Sequence, residues 1–306
     1  MEMKSKLFFF PSEPLVGYRN PYCNYYKEAL NNYYEVLDMN RSGKCKRMFT
    51  LLLNSFRCKY IVFNWLESVP FFPFGKVQFV LALMALFVLK LRKVKVLFMF
   101  HDLIPHFGDN WMSRYLMKWL FTNSDLIITH SKEALDIAKK KSEKPCYYIC
   151  HPVYKTKVEP FEASRHVDVF IWGAIYDYKG IYEFISLPAI QSSKLQIYIL
   201  GHSMDEKLKD RILSKCNSHI VYEDRRAGFS EIAAYCKKSK YVLFPYVGES
   251  ISSSGALVDT LVFGGVPIGP NRGAFKDLAE ENACLVYNNY EELCKILHDT
   301  STIAPE

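Results

Sequence analysis

Three consecutive serines, Ser252, Ser253 and Ser254, stand directly before Gly255 and a run of helical spacing over 255–263. Hydroxyls beside the free amides of a helix start, where the macrodipole favours negative charge, suit a phosphate, although the same residues also read as a plain N-cap. Asp259 lies four residues after Gly255, on the same face about one turn on. A carboxylate that close to a diphosphate does not ligate it; its natural work is to accept hydrogen bonds from ribose or sugar hydroxyls. Upstream, Tyr246 follows a strand-like run at 241–244, so strand, polar loop and helix come in that order.

Further candidates fall at the ends of other apolar runs. Gly173 follows the run 167–172 and permits close backbone approach to a ligand, while Lys179 offers a cation against phosphate or a solvated loop charge. Arg225 and Arg226, in Glu223-Asp224-Arg225-Arg226, read either as a bidentate phosphate clamp or as a surface charge cluster. His101, Asp102 and His106 follow the run 94–100; a histidine and an aspartate there are candidates for proton transfer, with His130 and Glu13 secondary.

The elements that must position these residues alternate. Strand-like runs at 6–10, 60–63, 94–100 and 126–129 are separated by helical patterns at 22–37, 77–89, 113–122 and 132–140. A second series follows, with strands at 167–172, 196–200, 220–222, 241–244 and 266–268. Its helices fall at 180–187, 205–216, 230–236 and 255–263. Such alternation predicts parallel βαβ units, hence an α/β protein of two Rossmann-like halves joined near 155–165. Ligands are then expected beyond the carboxyl ends of the strands, in a cleft between the halves. Neither a GxGxxG turn nor a GxxxxGK[ST] loop occurs, so the nicotinamide and P-loop signatures are missing.

The order strand, Pro-Tyr, acidic loop, Ser-Ser-Gly-Ala-Leu, Asp259 and Gly-x-Pro resembles the donor segment of GT-B glycosyltransferases. The likeness is to family-4-like enzymes and those of bacterial capsule and exopolysaccharide assembly. Trp172-Gly173-Ala174-Ile175 with Lys179-Gly180 is similar to the element opening their donor domain. The 98–106 stretch resembles their H-(N/D)-x-x-P-H element, and 125–131 their Asp-led strand before a helix. Asp259 stands where the family usually has Glu, and Ile251 where a second Glu is frequent, with Glu249 nearby.

The resemblance implies a GT-B fold. An acceptor domain would span 1–155, a nucleotide-sugar domain 156–285, and a C-terminal helix within 286–306 would reach back to the first domain. It implies that Gly173, Lys179, Arg225, Arg226, Tyr246, Ser252–Ser254, Gly255 and Asp259 hold a nucleoside-diphosphate sugar. Tyr18, Arg19 and Asn20 would meet the acceptor, with Asp102, His101 and His106 as catalytic candidates. No metal or other cofactor is expected, in keeping with the lack of a DxD triplet.

Composition bounds the rest. The chain has 306 residues, half of them apolar, and a net charge of +7, which excludes a disordered or low-complexity protein. Residues 1–155 hold 23 Lys/Arg against 12 Asp/Glu, and residues 156–306 hold 16 against 20. The basic charge therefore belongs to the first half, which points to an anionic partner such as a membrane surface carrying a lipid-linked acceptor. Near-continuous apolar residues at 77–91 are too few to span a bilayer; they read as a buried helix or one touching a membrane. Nine scattered cysteines without a CxxC read as reduced thiols, and no signal-peptide core is seen, so the expected location is cytoplasmic, at the inner face of the membrane. Two other classes stay open: a nucleotide-sugar 2-epimerase of similar fold, and a basic nucleic-acid-binding protein. The latter has no zinc finger or RNP-like motif in its favour, and nucleic acid is not the expected partner.

Overall fold

Short runs rich in Phe, Ile and Val, bounded by polar turns, form the strands of two separate parallel sheets. The computed structural model describes residues 4–11, 21–37, 46–101, 108, 110–153, 159–164, 166–248 and 252–299. Two compact units result: Met1–Pro152 with Ser250–Ser252, and Val153–Glu249 with Ser253–Glu306. Tyr18, Arg19, Asn20, Asp102, His106 and Glu13 lie outside the described residues.

In the first unit the strands are β1 (Lys6–Phe10), β2 (Glu35–Leu37), β3 (Tyr60–Asn64), β4 (Lys95–Phe100), β5 (Leu126–Thr129) and β6 (Cys146–Tyr148). Its helices are α1 (Pro21–Asn31), α2 (Lys46–Ser55), α3 (Gly75–Leu91), α4 (Trp111–Asn123) and α5 (Lys132–Lys141). The order β2-β1-β3-β4-β5-β6 is parallel throughout. Both faces of the central strands are covered, which is why β1 reads Leu-Phe-Phe-Phe without alternation. Phe8, Phe63, Phe98 and Phe100 pack under Met48 and Leu51 of α2, Ala82, Ala85 and Leu86 of α3, and Leu116 and Leu120 of α4. Leu7, Phe9, Val62 and Met99 face Tyr22 and Cys23 of α1 on the other side. The helix expected over 22–37 ends at Asn31, and Glu35–Leu37 turns back to pair with β1 as an edge strand.

The second unit contains β7 (Val169–Trp172), β8 (Ile197–Leu200), β9 (Ile220–Glu223), β10 (Tyr241–Leu243), β11 (Pro267–Pro270) and β12 (Leu285–Tyr287). Its helices are α6 (Ile181–Ile185), α7 (Pro188–Gln191), α8 (Glu206–Leu213), α9 (Phe229–Lys238), α10 (Gly255–Val262), α11 (Gly273–Glu280) and α12 (Tyr290–His298). The parallel order is β12-β11-β10-β7-β8-β9. Strand order thus reverses between β7 and β10, the switch point at which open α/β sheets place ligands. Leu293 and Leu297 of α12 are buried in this unit's own core with Ile268 and Tyr287. Of the stretch 286–306 expected to reach back, α12 thus packs on the second unit, and residues 300–306 lie outside the described residues.

Candidate functional site

The switch point of the second sheet holds most of the predicted donor residues. Gly173 leaves β7 at φ 101°, a conformation that favours glycine. A Cβ at this position would lie 3.3 Å from Lys179 Nζ, so the ammonium sits directly beside the β7 turn. Gly180, at φ 62°, has no room for a side chain, because a Cβ would collide with the Pro245 carbonyl oxygen. That close approach brings the Lys179 loop against the end of β10. Lys179 is only 8 % exposed, and its ammonium lies 5.6 Å from the centre of the Tyr246 ring. Among the described residues no hydrogen bond or ion pair reaches it, and burial pulls its pKa down to about 8.

Tyr246 joins this lysine to the start of α10. Its hydroxyl is 3.2 Å from Ser254 Oγ, and burial pushes its pKa up to about 12. Ser254 is the N-cap of α10 in extended conformation, yet its side chain caps no amide of the helix. The hydroxyl turns to Tyr246 instead. The first amides of α10 are thereby left without a serine cap, the state that suits an incoming anion. Asp259 projects from α10 with no hydrogen bond among the described residues, and burial raises its pKa to about 6. On the same helix, Thr260 Oγ1 accepts from Trp172 Nε1 at 3.0 Å, tying α10 to β7.

Arg272 was not among the sequence candidates. It caps α11 after β11, donates from Nη2 to the Tyr246 carbonyl at 3.4 Å, and buries its Nε without a partner. A second cation therefore borders Tyr246. The rule that ligands gather at carboxyl ends of strands points to it, since it lies two residues beyond β11.

Other candidates are placed differently. Ser252 groups with the first unit, where its hydroxyl donates to the His101 carbonyl oxygen, so Ser253 and Ser254 are the serines of the second unit. Arg225 is engaged at home: Nε meets Glu223 at 2.9 Å, and Nη1 and Nη2 meet Glu231 at 2.8 and 2.5 Å. Its guanidinium is thus held by two carboxylates, and Arg226 beside it is exposed. Asp224 is the hub of that loop. Burial pushes its carboxyl up, but the Ser203 amide, Lys209, His202 and Tyr222 together hold its pKa down at about 2.

In the first unit His101 follows β4 and is nearly buried. Its Nε2 lies 2.9 Å from Asn64 Oδ1, and its ring stacks on Trp65 at 4.6 Å between centres. Asn64 in turn donates to the Phe10 carbonyl at 3.0 Å, bridging β1 and β3. Tyr22 stands edge-on to His101, and its hydroxyl is 2.8 Å from His130 Nε2. The Ile149 carbonyl accepts from His130 Nδ1 at 2.7 Å, so in the neutral ring Nε2 is the acceptor for Tyr22. Burial lowers the pKa of His130, and burial with His130 nearby brings His151 down to about 4. The carboxyl edge of the first sheet therefore gathers His101, His130 and His151 around Tyr22. His151, Asn64 and Trp65 were not singled out in the sequence: Asn64 and Trp65 close β3 and His151 lies beyond β6, with no motif around them to mark them.

No family model matches the sequence, and a search of curated proteins finds no relative. Among solved structures, HepE from Anabaena in complex with UDP-glucose aligns with a TM-score of 0.65 at 12 % identity, over 96 % of this chain and 88 % of that one. A Listeria monocytogenes protein assigned as a UDP-N-acetylglucosamine 2-epimerase aligns at 0.56 and 11 % identity, over 100 % and 92 %. A UDP-forming trehalose-phosphate synthase from Burkholderia xenovorans aligns at 0.55 and 10 % identity, over 85 % and 72 %. The chain has the fold these proteins share, the GT-B fold of two Rossmann-like units in succession.

Proposed function

We propose that this chain is a glycosyltransferase that takes a sugar from a nucleoside diphosphate and passes it to a glycan acceptor. The observation that carries the proposal is Lys179: a buried ammonium with no counter-charge among the described residues, beside Gly173 and Tyr246 at the switch point of the second sheet. Burying a cation that way is unfavourable until an anion arrives. A diphosphate between Lys179 and the amides of α10 satisfies both, and the same groups stabilise the charge that grows as the diphosphate departs. Asp259, unpartnered among described residues, accepts hydrogen bonds from donor hydroxyls once ionised. Arg272 adds a second cation, while Arg225 contributes only if it leaves its carboxylates.

On the acceptor side, the hydroxyl that attacks must lose a proton, and Asp102, His101 and His106 are the proposed acceptors of it. Tyr18, Arg19 and Asn20 are the proposed acceptor contacts. A lipid-linked acceptor in capsule or exopolysaccharide assembly, met at the cytoplasmic face of a membrane, fits the basic first half. Turnover is proposed to need no metal and so to persist in chelator. The similarity to the Listeria protein supports a second reading, a nucleotide-sugar 2-epimerase. A thermal-shift screen against UDP-, GDP-, ADP- and CMP-sugars tests the donor site, and flat responses to all four refute it. Epimerised sugar nucleotide released without acceptor would select the second reading.

A further inference from the structure

The face of α3 turned away from the sheet is apolar. Ala82, Ala85, Leu86 and Leu89 pack inward, while Val77, Val80, Met84, Phe87 and Leu91 point outward and are 50–66 % exposed. At 1.5 Å per residue that stripe is about 21 Å long. α2 packs alongside and extends it with Phe49, Leu53 and Phe56, each more than half exposed. Trp111 and Tyr115 of α4, themselves exposed, pack edge-on against Phe79 on the buried side of α3, with ring centres 5.3 and 6.0 Å away. Scattered exposed apolar residues need no explanation, but eight of them on or beside two helices packed together do.

Charge identifies what covers it. Residues 39–101 contain eleven Lys/Arg and one acidic residue, Glu67, which is buried. Arg57 and Lys59 follow α2, Lys76 opens α3, and Lys90, Arg92 and Lys93 close it, all exposed. A second copy docking patch to patch would set these cations against one another with no carboxylate between them. A surface of anionic lipid headgroups is complementary to both the apolar stripe and its basic rim. No helix among the described residues is long and apolar enough to cross a membrane, so the contact is one of lying on the surface.

We infer that the α2–α3 face docks the first unit onto an anionic bilayer, with Val80, Met84, Phe87 and Leu53 entering the headgroup boundary and Lys76, Lys90 and Lys93 meeting lipid phosphates. This deepens the acceptor side of the proposed function, and its test uses neither donor nor acceptor. The full chain is sedimented with phosphatidylcholine vesicles, with and without phosphatidylglycerol. Binding is expected only with phosphatidylglycerol and is expected to weaken as salt is raised. Val80→Gln, Met84→Gln and Phe87→Gln together should weaken it at least tenfold, and Lys76→Gln with Lys90→Gln should reduce its salt dependence. An unchanged melting temperature shows that the variants keep their fold. The inference is overturned if the wild type ignores phosphatidylglycerol vesicles, if the triple variant binds like wild type, or if sedimentation velocity finds a dimer that the triple variant abolishes.

Discussion

Replacing Lys179 by Met should stabilise the empty protein and remove its response to donor. The methionine keeps an apolar stem in the pocket and deletes the charge. In the folded chain the ammonium's pKa is depressed from 10.5 to about 8 by burial. At about 1.4 kcal/mol per factor of ten, that corresponds to ~3 kcal/mol disfavouring the charged lysine in the fold. The sign follows from the depression: the penalty is complete below about pH 8, shrinks as the unfolded lysine loses its proton towards 10.5, and is gone above that. Lys179→Met should therefore exceed wild type by up to ~3 kcal/mol at pH 7, several degrees in Tm for a protein of this size, and the two should converge at high pH. With UDP-glucose at a thousand times Kd the order reverses, because the ligand then adds about 4.1 kcal/mol to wild type alone. Chemical denaturation across pH, with and without nucleotide, measures both. A variant less stable than wild type at pH 7, or one that keeps the full nucleotide shift, would refute the assignment of Lys179 as a cation held for an anion.

Asp259→Asn should abolish turnover, and wild-type activity should rise as pH passes about 6, where the carboxyl ionises; a flat profile between pH 5 and 7, with the variant active, would remove Asp259 from the site. The raised value also means that ionised Asp259 opposes folding above about pH 6 and not below about pH 4, so the variant's stability advantage should appear only over that rise. Gly180→Ala should cost about 1–3 kcal/mol by denaturation, since φ is 62° and the methyl meets the Pro245 carbonyl. Arg225→Ala should change stability by no more than ~1 kcal/mol, because its carboxylate partners are partly exposed. Donor affinity should be unchanged in that variant; a large loss measured by calorimetry would mean that Arg225 leaves Glu231 to hold the diphosphate.

The central strands were legible because burial on both faces demands unbroken apolar runs: 6–10 and 126–129 coincide with β1 and β5. The strands that escaped notice, β2, β6 and β12, are three-residue edge strands paired on one side only, with too few residues to show a period. α2 was hidden for the opposite reason. Its outward Phe49 and Leu53 are as apolar as its buried Met48 and Leu51, while its polar Thr50 and Asn54 are buried, so its sequence pattern does not follow its burial. Among the candidate donor residues, Gly173, Lys179, Tyr246 and Ser254 could be picked out because a turn glycine, a loop cation and a helix start can be read locally. Arg272 and the partners of Arg225 were not, since an arginine's choice between an internal carboxylate and a ligand is made by tertiary neighbours.

The central claim is that the second unit holds a nucleoside-diphosphate sugar at Lys179, Tyr246 and the start of α10. Titration calorimetry of UDP-glucose and then UDP into the wild-type chain tests it most directly. The account predicts one saturable site per chain for which the two compete, and its loss in Lys179→Met. Saturable binding that persists unchanged in Lys179→Met, or no binding of any nucleoside-diphosphate sugar, would contradict it.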